Sequence, residues 1–148
     1  MHLPPSPPNL ISNLDHINLQ VPPHTLPLAR LFYTTTLTLP ETPSPAPYLA
    51  WFTLGSSPHT LHISAQYALT PAQQKAQTES PRHLCFKIDS EEKLRALQER
   101  VWRHYEAGGP GAPVYCDEMD VVREKKADGF PIRFFARDYA GNRLEFTL

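Results

Sequence analysis

The sequence predicts an α+β fold made of two similar halves, each reading strand, helix, strands, with polar-faced strands suited to build a shared cup. Three observations predict it. Short segments alternate apolar and polar residues with a period of two. Helical patterns follow the opening strand of each half. The whole order of elements then repeats once within 148 residues.

The first strand is Asp15 to Val21, where Ile17, Leu19 and Val21 face one way and His16, Asn18 and Gln20 the other. Pro22 and Pro23 stop it, and Thr25 is the expected N-cap of a helix with Pro27 in its first turn. Leu28, Leu31 and Phe32 give that helix a narrow apolar stripe. Residues 40–47 read as a loop. Tyr48 to Leu54 and Thr60 to Gln66 then read as a hairpin around Gly55-Ser56-Ser57-Pro58. Residues 67–81 read as a polar linker holding at most one helical turn.

The second half opens on Arg82 to Ile88, with Leu84, Phe86 and Ile88 on the apolar face and His83, Cys85 and Lys87 on the other. Asp89 or Ser90 caps a strong helix, and Asp89 with Glu92 has capping-box spacing. Leu94, Leu97, Val101 and Tyr105 recur at helical intervals, and Gly108-Gly109-Pro110 ends the run. Residues 113–122 are expected to hold a further strand. Phe130 to Arg137 and Arg143 to Leu148 close the chain as a hairpin around residues 138–142. The helices thus fall near residues 25–36 and 90–107. The first half spans about 13–66 and the second about 82–148, behind a Pro-rich tail at 1–12.

Composition narrows the function. The net charge is -1, with Lys+Arg 14 against Asp+Glu 15, so nothing marks a nucleic-acid or anionic-membrane partner. The run Arg123, Lys125, Lys126 is broken by Glu124 and reads as a solvated loop. Cys85 and Cys116 make no CxxC pair, which excludes a zinc knuckle and a thioredoxin-type site. The first ten residues have no apolar core of a secretory signal, and no stretch is apolar enough to span a membrane. The expected compartment is the cytoplasm. Of the Pro 17, most crowd into 4–8, 22–27 and 40–47, where they mark tail and connectors, and the rest stand singly at Pro58, Pro71, Pro81, Pro110, Pro113 and Pro131.

The chemistry lies in phase. His16 and His83 occupy the same position of the two opening strands, and His62 and Glu145 that of the two closing strands. One histidine on a half-buried strand is ordinarily a satisfied polar residue. Four ligand-type residues at matched positions of a repeat carry more weight. Imidazole and carboxylate suit Zn, Fe, Mn, Co or Ni, and two His with one carboxylate leave coordination positions open for substrate. Asn18, Gln20, Trp51, Ser64, Cys85 and Lys87 line the same cup by phase. Arg133 and Arg137 share a face with Phe135 and could hold a substrate carboxylate.

The segment Phe134-Phe135-Ala136-Arg137-Asp138-Tyr139-Ala140-Gly141-Asn142-Arg143-Leu144-Glu145-Phe146, with Phe32-Tyr33 in the first helix, resembles the vicinal oxygen chelate superfamily. That superfamily includes glyoxalase I, fosfomycin-resistance transferases, extradiol dioxygenases and bleomycin-resistance proteins. The resemblance covers about residues 13–148. It implies tandem βαβββ modules whose curled mixed sheets surround a cup. It also implies a divalent metal ion that chelates vicinal oxygens of a small molecule. His16 and His83 match the opening-strand ligands, Glu145 the closing-strand carboxylate, and His62 falls where glyoxalase I has a second metal-binding Glu. Because His62 is not Glu, glyoxalase I itself is not the expected activity.

The expected function is a metal-dependent enzyme acting on a small oxygenated molecule by isomerase, lyase, group-transfer or ring-opening dioxygenase chemistry. Its expected metal ligands are His16, His83, Glu145 and His62, with His62 and Glu145 catalytic and Asn18, Trp51, Arg133 and Arg137 contacting substrate. The alternative is a non-catalytic binding protein of the bleomycin-resistance type. A homodimer is expected, since each half-cup leaves strand edges open, and the metal ligands can then come from one chain or from two.

Overall fold

The computed structural model describes residues 11–119, 129 and 131–148. The Pro-rich stretch 1–10, the basic run near Arg123 and the end of the strand expected at 113–122 lie outside the described residues. The first module holds β1 (His16–Gln20), α1 (Leu26–Arg30) with a π-helical turn continuing it (Leu31–Thr36), β2 (Glu41–Thr42), β3 (Leu49–Thr53) and β4 (Thr60–Ser64). The helix α2 (Pro71–Glu79) joins it to the second module. There β5 (His83–Lys87), α3 (Glu91–Ala107), β6 (Tyr115–Cys116), β7 (Arg133–Arg137) and β8 (Arg143–Thr147) follow.

The repeat extends to topology. One sheet has the order β1-β4-β3-β2 and the other β5-β8-β7-β6. In both, the opening strand runs parallel to the last, and the remaining pairs are antiparallel. A parallel first and last strand requires a crossover, and α1 and α3 supply it. Each half is therefore a βαβββ module. Leu61, Ile63 and Phe52 of one sheet join Leu144, Phe146 and Phe134 of the other in a single apolar cluster with Phe32, Tyr33, Leu94 and Val101. Burying such side chains is worth about 1.5–3 kcal/mol each, so the sheet backs and helices hold the fold while the polar faces stay free for function.

Several local expectations need correction. Thr25 is the N-cap of α1, but its hydroxyl makes no capping bond and instead donates to the Pro22 carbonyl at 2.6 Å. The buried face of α1 and its π turn is Leu26, Ala29, Phe32, Tyr33 and Thr36, while Leu31 is exposed. The π turn, with Leu37 N–H donating to the Phe32 carbonyl, rotates the face enough to bury both Phe32 and Tyr33. Ser90, not Asp89, caps α3 by accepting from Lys93 N–H, and Asp89 pairs with the Lys93 ammonium instead. On α3 the buried positions are Leu94, Gln98 and Val101, and Tyr105 is exposed. Residues 40–47 contain the short β2. The linker holds a nine-residue helix, started by a Thr70–Gln73 capping box. None of its residues is buried, so it carries no apolar stripe that periodicity could reveal.

The two resemblance motifs meet. Tyr33 donates its hydroxyl to Asp138 Oδ2 at 2.7 Å, and both side chains are fully buried. Asp138 also accepts from the Ala140 and Asn142 N–H groups and from the Asn142 amide. Burial raises its carboxyl pKa, opposed by these hydrogen bonds. Gly141 sits at φ +88, and a Cβ there would run into Thr78 of α2. The hairpin turn of the second module is thus locked to the first helix and to the linker.

Candidate active site

Strand register decides which residues share a face. In the first sheet Asn18 pairs with His62 and His62 with Trp51, so the polar face carries His16, Asn18 and Gln20 beside Thr60, His62 and Ser64, then Trp51. In the second sheet Cys85 pairs with Glu145 and Glu145 with Phe135, so its polar face carries His83, Cys85, Lys87, Arg143, Glu145, Arg133, Phe135 and Arg137. The predicted cup-lining residues lie on these two faces, opposite the buried apolar rows.

The two faces are built differently. On the first, three rings stack. Trp51 lies 4.4 Å from His62 and 10° from parallel, and His62 lies 4.1 Å from His16 at 16°. His16 Nδ1 is 2.8 Å from Asp15 Oδ2, and His62 Nε2 is 3.0 Å from Thr60 Oγ1. Partial burial, then the neighbouring His16, lowers the His62 pKa and favours the neutral ring. The indole N–H of Trp51 is buried and, among the described residues, makes no hydrogen bond.

On the second face, His83 Nε2 lies 2.7 Å from Glu145 Oε2, and His83 Nδ1 lies 2.9 Å from the Pro81 carbonyl oxygen. A carbonyl only accepts, so Nδ1 carries a proton. The Nε2 to carboxylate contact then needs a second proton, or a cation, between two acceptors. This is also the arrangement of a metal-ligating histidine, whose second nitrogen donates to a backbone carbonyl. Arg133, only 8% exposed, places Nε 3.4 Å from the other Glu145 oxygen. Cys85 beside Glu145 has its thiol pushed up to about 11, first by burial and then by the Glu145 charge. It is a thiol, not a thiolate, at neutral pH. A cleft of about 300 Å³ opens here between Glu79, Pro81, Tyr115, Asp117, Phe135, Arg137 and Arg143. A larger cleft of about 470 Å³, with walls that include Leu37, Leu97 and Phe146, reaches this face only through Cys85 and Lys87.

The expected ligands therefore divide two and two within the chain: His16 with His62, and His83 with Glu145. Among the described residues no three His, Cys, Asp or Glu side chains form a metal-holding group. Arg137 is held by the main chain, with Nη1 donating to Gly141 and Gln77 and Nη2 to Ser80. Arg137 lines the cleft, but these donors are engaged by main-chain carbonyls of the linker and the closing turn, so it is no ready carboxylate clamp. Sequence reading passed over Arg143, whose guanidinium lies 4.3 Å over the Phe135 ring. Its shared phase with Glu145 was the available signal.

No family model and no curated protein matches the sequence. Solved structures do. A glyoxalase family protein from Bacillus anthracis is 22% identical with a TM-score of 0.62, over 93% of this chain and 95% of that one. A mutant of the fosfomycin resistance protein FosX from Listeria monocytogenes, complexed with Mn(II) and 1S,2S-dihydroxypropylphosphonic acid, is 17% identical at a TM-score of 0.64, over 93% and 90%. TnmS3, an antibiotic-binding protein from a Streptomyces species, is 17% identical at a TM-score of 0.56, over 93% and 96%. The chain shares the fold of these solved structures. Among the described residues no helix is long and apolar enough to cross a membrane.

Proposed function

We propose that the protein is a metal-dependent, cytoplasmic, homodimeric enzyme acting on a small oxygenated organic molecule. One observation carries the reading. His83 Nε2 and Glu145 Oε2 lie 2.7 Å apart, with His83 Nδ1 facing the Pro81 carbonyl. A divalent cation held between them satisfies both groups as well as a second imidazole proton does. His83 and Glu145 would hold it, with a third ligand, His16, coming from a second copy of the chain. The donor set suits Zn, Fe, Mn, Ni or Co, and the bound ion would supply Lewis-acid stabilisation of negative charge on a substrate oxygen.

The chain's own residues do the rest. Pro81 fixes the tautomer and angle of His83, and Arg133 orients Glu145 through its second oxygen. His62, neutral at physiological pH because of its partial burial and His16, serves as a base on the opposing wall. Asn18 and Trp51 line that wall and contact substrate, Trp51 through the ring stacked on His62. That FosX was solved with Mn(II) on a similar fold supports a divalent ion here. Isomerisation, lyase, group-transfer and ring-opening chemistry all fit this apparatus.

A second reading is favoured by the Trp51–His62–His16 stack, a broad aromatic wall of the kind that sequesters flat ligands. TnmS3, with a similar fold, is an antibiotic-binding protein. Metal analysis separates the two. Protein purified without chelator is expected to retain one divalent ion per chain, and Glu145→Gln to lose it. A wild-type protein that takes up no divalent ion in calorimetric titration would hand the case to the binding protein.

A further inference from the structure

The charged half of the cup says what kind of molecule it receives. Its strands present four cationic side chains, Arg133, Arg137, Arg143 and Lys87, against one carboxylate, Glu145. Asp117 and Glu79 stand at the edge of the same cleft. Asp117 is already occupied, accepting from the Phe135 N–H and the Tyr115 hydroxyl. The corresponding strands of the first module present no Lys, Arg, Asp or Glu on their polar face. A chain of net charge -1 has thus gathered positive charge on one small surface.

Within it Arg143 is the side chain with capacity to spare. It is the cross-strand partner of His83 and stands two residues from Glu145 on β8. Its guanidinium carbon lies 4.3 Å over the centre of the Phe135 ring, which meets His83 edge-on at 5.6 Å. Nη1 donates to the Pro81 carbonyl, the same oxygen that accepts a hydrogen bond from His83 Nδ1. Among the described residues its Nε and Nη2 make no hydrogen bond. A guanidinium pinned by stacking, with part of its fork open, is preorganised for two-point binding of an oxyanion. Burial and the nearby Arg143 charge depress the Arg137 pKa, a repulsion that a bound anion relieves.

From this we infer that the substrate carries a carboxylate or phosphonate-type oxyanion, and that Arg143, held over Phe135 beside His83 and Glu145, is its binding residue. The inference rests on the metal-site reading for where the oxygens to be chelated lie, but not for the anion contact itself. The probes are glycolate, hydroxymethylphosphonate and the neutral glycolamide, titrated calorimetrically into Mn(II)-loaded and metal-free protein. Both oxyanions, or the one matching the natural group, are expected to bind at least about tenfold tighter than the amide. The carboxylate and phosphonate arms distinguish the two groups. Arg143→Gln is expected to weaken oxyanion binding about tenfold while leaving Mn(II) affinity within about twofold. Arg143→Lys, which keeps the charge without the fork, should recover only part of the loss. Glycolamide binding as tightly as both oxyanions overturns the inference. So does an unchanged oxyanion affinity in Arg143→Gln, even with a lowered melting temperature, since Arg143 is then only a strut for Pro81. If wild-type protein takes up no Mn(II), the metal reading fails, and the metal-free titrations alone decide for or against Arg143.

Discussion

The two sheets share strand order, register and apolar backs, yet apart from the opening histidines His16 and His83 their polar faces have diverged. Position for position, His62 answers Glu145, Trp51 answers Phe135, and Asn18 answers Cys85. The first face is uncharged and aromatic, with three rings in a stack. The second is dense in charge and holds the His83–Glu145 contact. A repeat constrains the backbone and the buried row, because a shift by one residue would bury the polar set. It leaves the other row free. On the proposed reading, one half is a platform for flat or apolar substrate and the other a site for a cation and an anion.

The largest expected effect comes from exchanging the equivalent ligands. Glu145→Gln should weaken divalent-metal binding by about a hundredfold or more and abolish turnover, whereas His62→Gln should cost metal affinity about tenfold at most. Equal losses would mean that both modules contribute equivalently, and the contrast would fall. Shared sites give a sharper form. Chains carrying His16→Ala or Glu145→Gln are each expected to be inactive alone. Mixed in equal amounts, they should regain activity if His16 reaches a second copy's site. No recovery in dimers verified to be mixed places all ligands within one chain.

The closing turns differ as the faces do. Asp138→Ala removes an acceptor used by four donors, two of them main-chain N–H groups, and should cost about 2–4 kcal/mol in urea unfolding. Ser57→Ala, in the exposed turn of the first module, should stay within about 0.5 kcal/mol.

Alkylation reads the charge of the second face directly. Cys85 should react slowly with iodoacetamide at pH 8, because burial and Glu145 hold its thiol at about 11. Glu145→Gln removes one cause of that rise, so the thiolate fraction and the rate should increase severalfold. Cys116 is buried with its thiol pushed to about 12 and should stay silent, leaving a single labelled site. An unchanged rate in the variant would disconnect Cys85 from Glu145.

The smallest effect is a pH slope from the first face. The folded state lowers the His62 pKa below its ordinary value, so the unfolded chain binds more protons there. Stability contributed by the neutral ring is present above the unfolded pKa near 6.5 and is lost as pH falls through that region. His62→Gln should flatten the fall in melting temperature between pH 7 and pH 5, modestly because the ring is only partly buried.

How much was legible follows from the same contrast. Period-two alternation put His16, His62, His83 and Glu145 on polar faces, and register agrees, because burying one row leaves no other solution. The two-residue β2 was not legible, since two residues have no period. Helix α2 buries nothing, so only its capping residues announced it. The face of α1 was misread because a π turn breaks the 3.6-residue spacing. Arg137 looked like a substrate clamp because alternation reports which face a side chain leaves, not which carbonyls it finds. Nor could pattern say that His16 and His83 stand in separate clusters, since phase within a strand is silent about the placement of sheets.

Helix α2 has a use beyond connection. It buries no side chain of its own, yet Gln77 donates to the carbonyls of Gln20 and Ala140, one in each module. The modules also hold each other without it, through Tyr33 to Asp138, the Asn142 amide to the Gln20 carbonyl, and Arg100 to the carbonyls of Thr35 and Thr36. A backbone cut between Gln66 and Thr70 therefore severs no strand and no core contact. The two fragments, made as separate polypeptides, should find each other and rebuild the fold, which makes this chain a natural starting point for a split reporter.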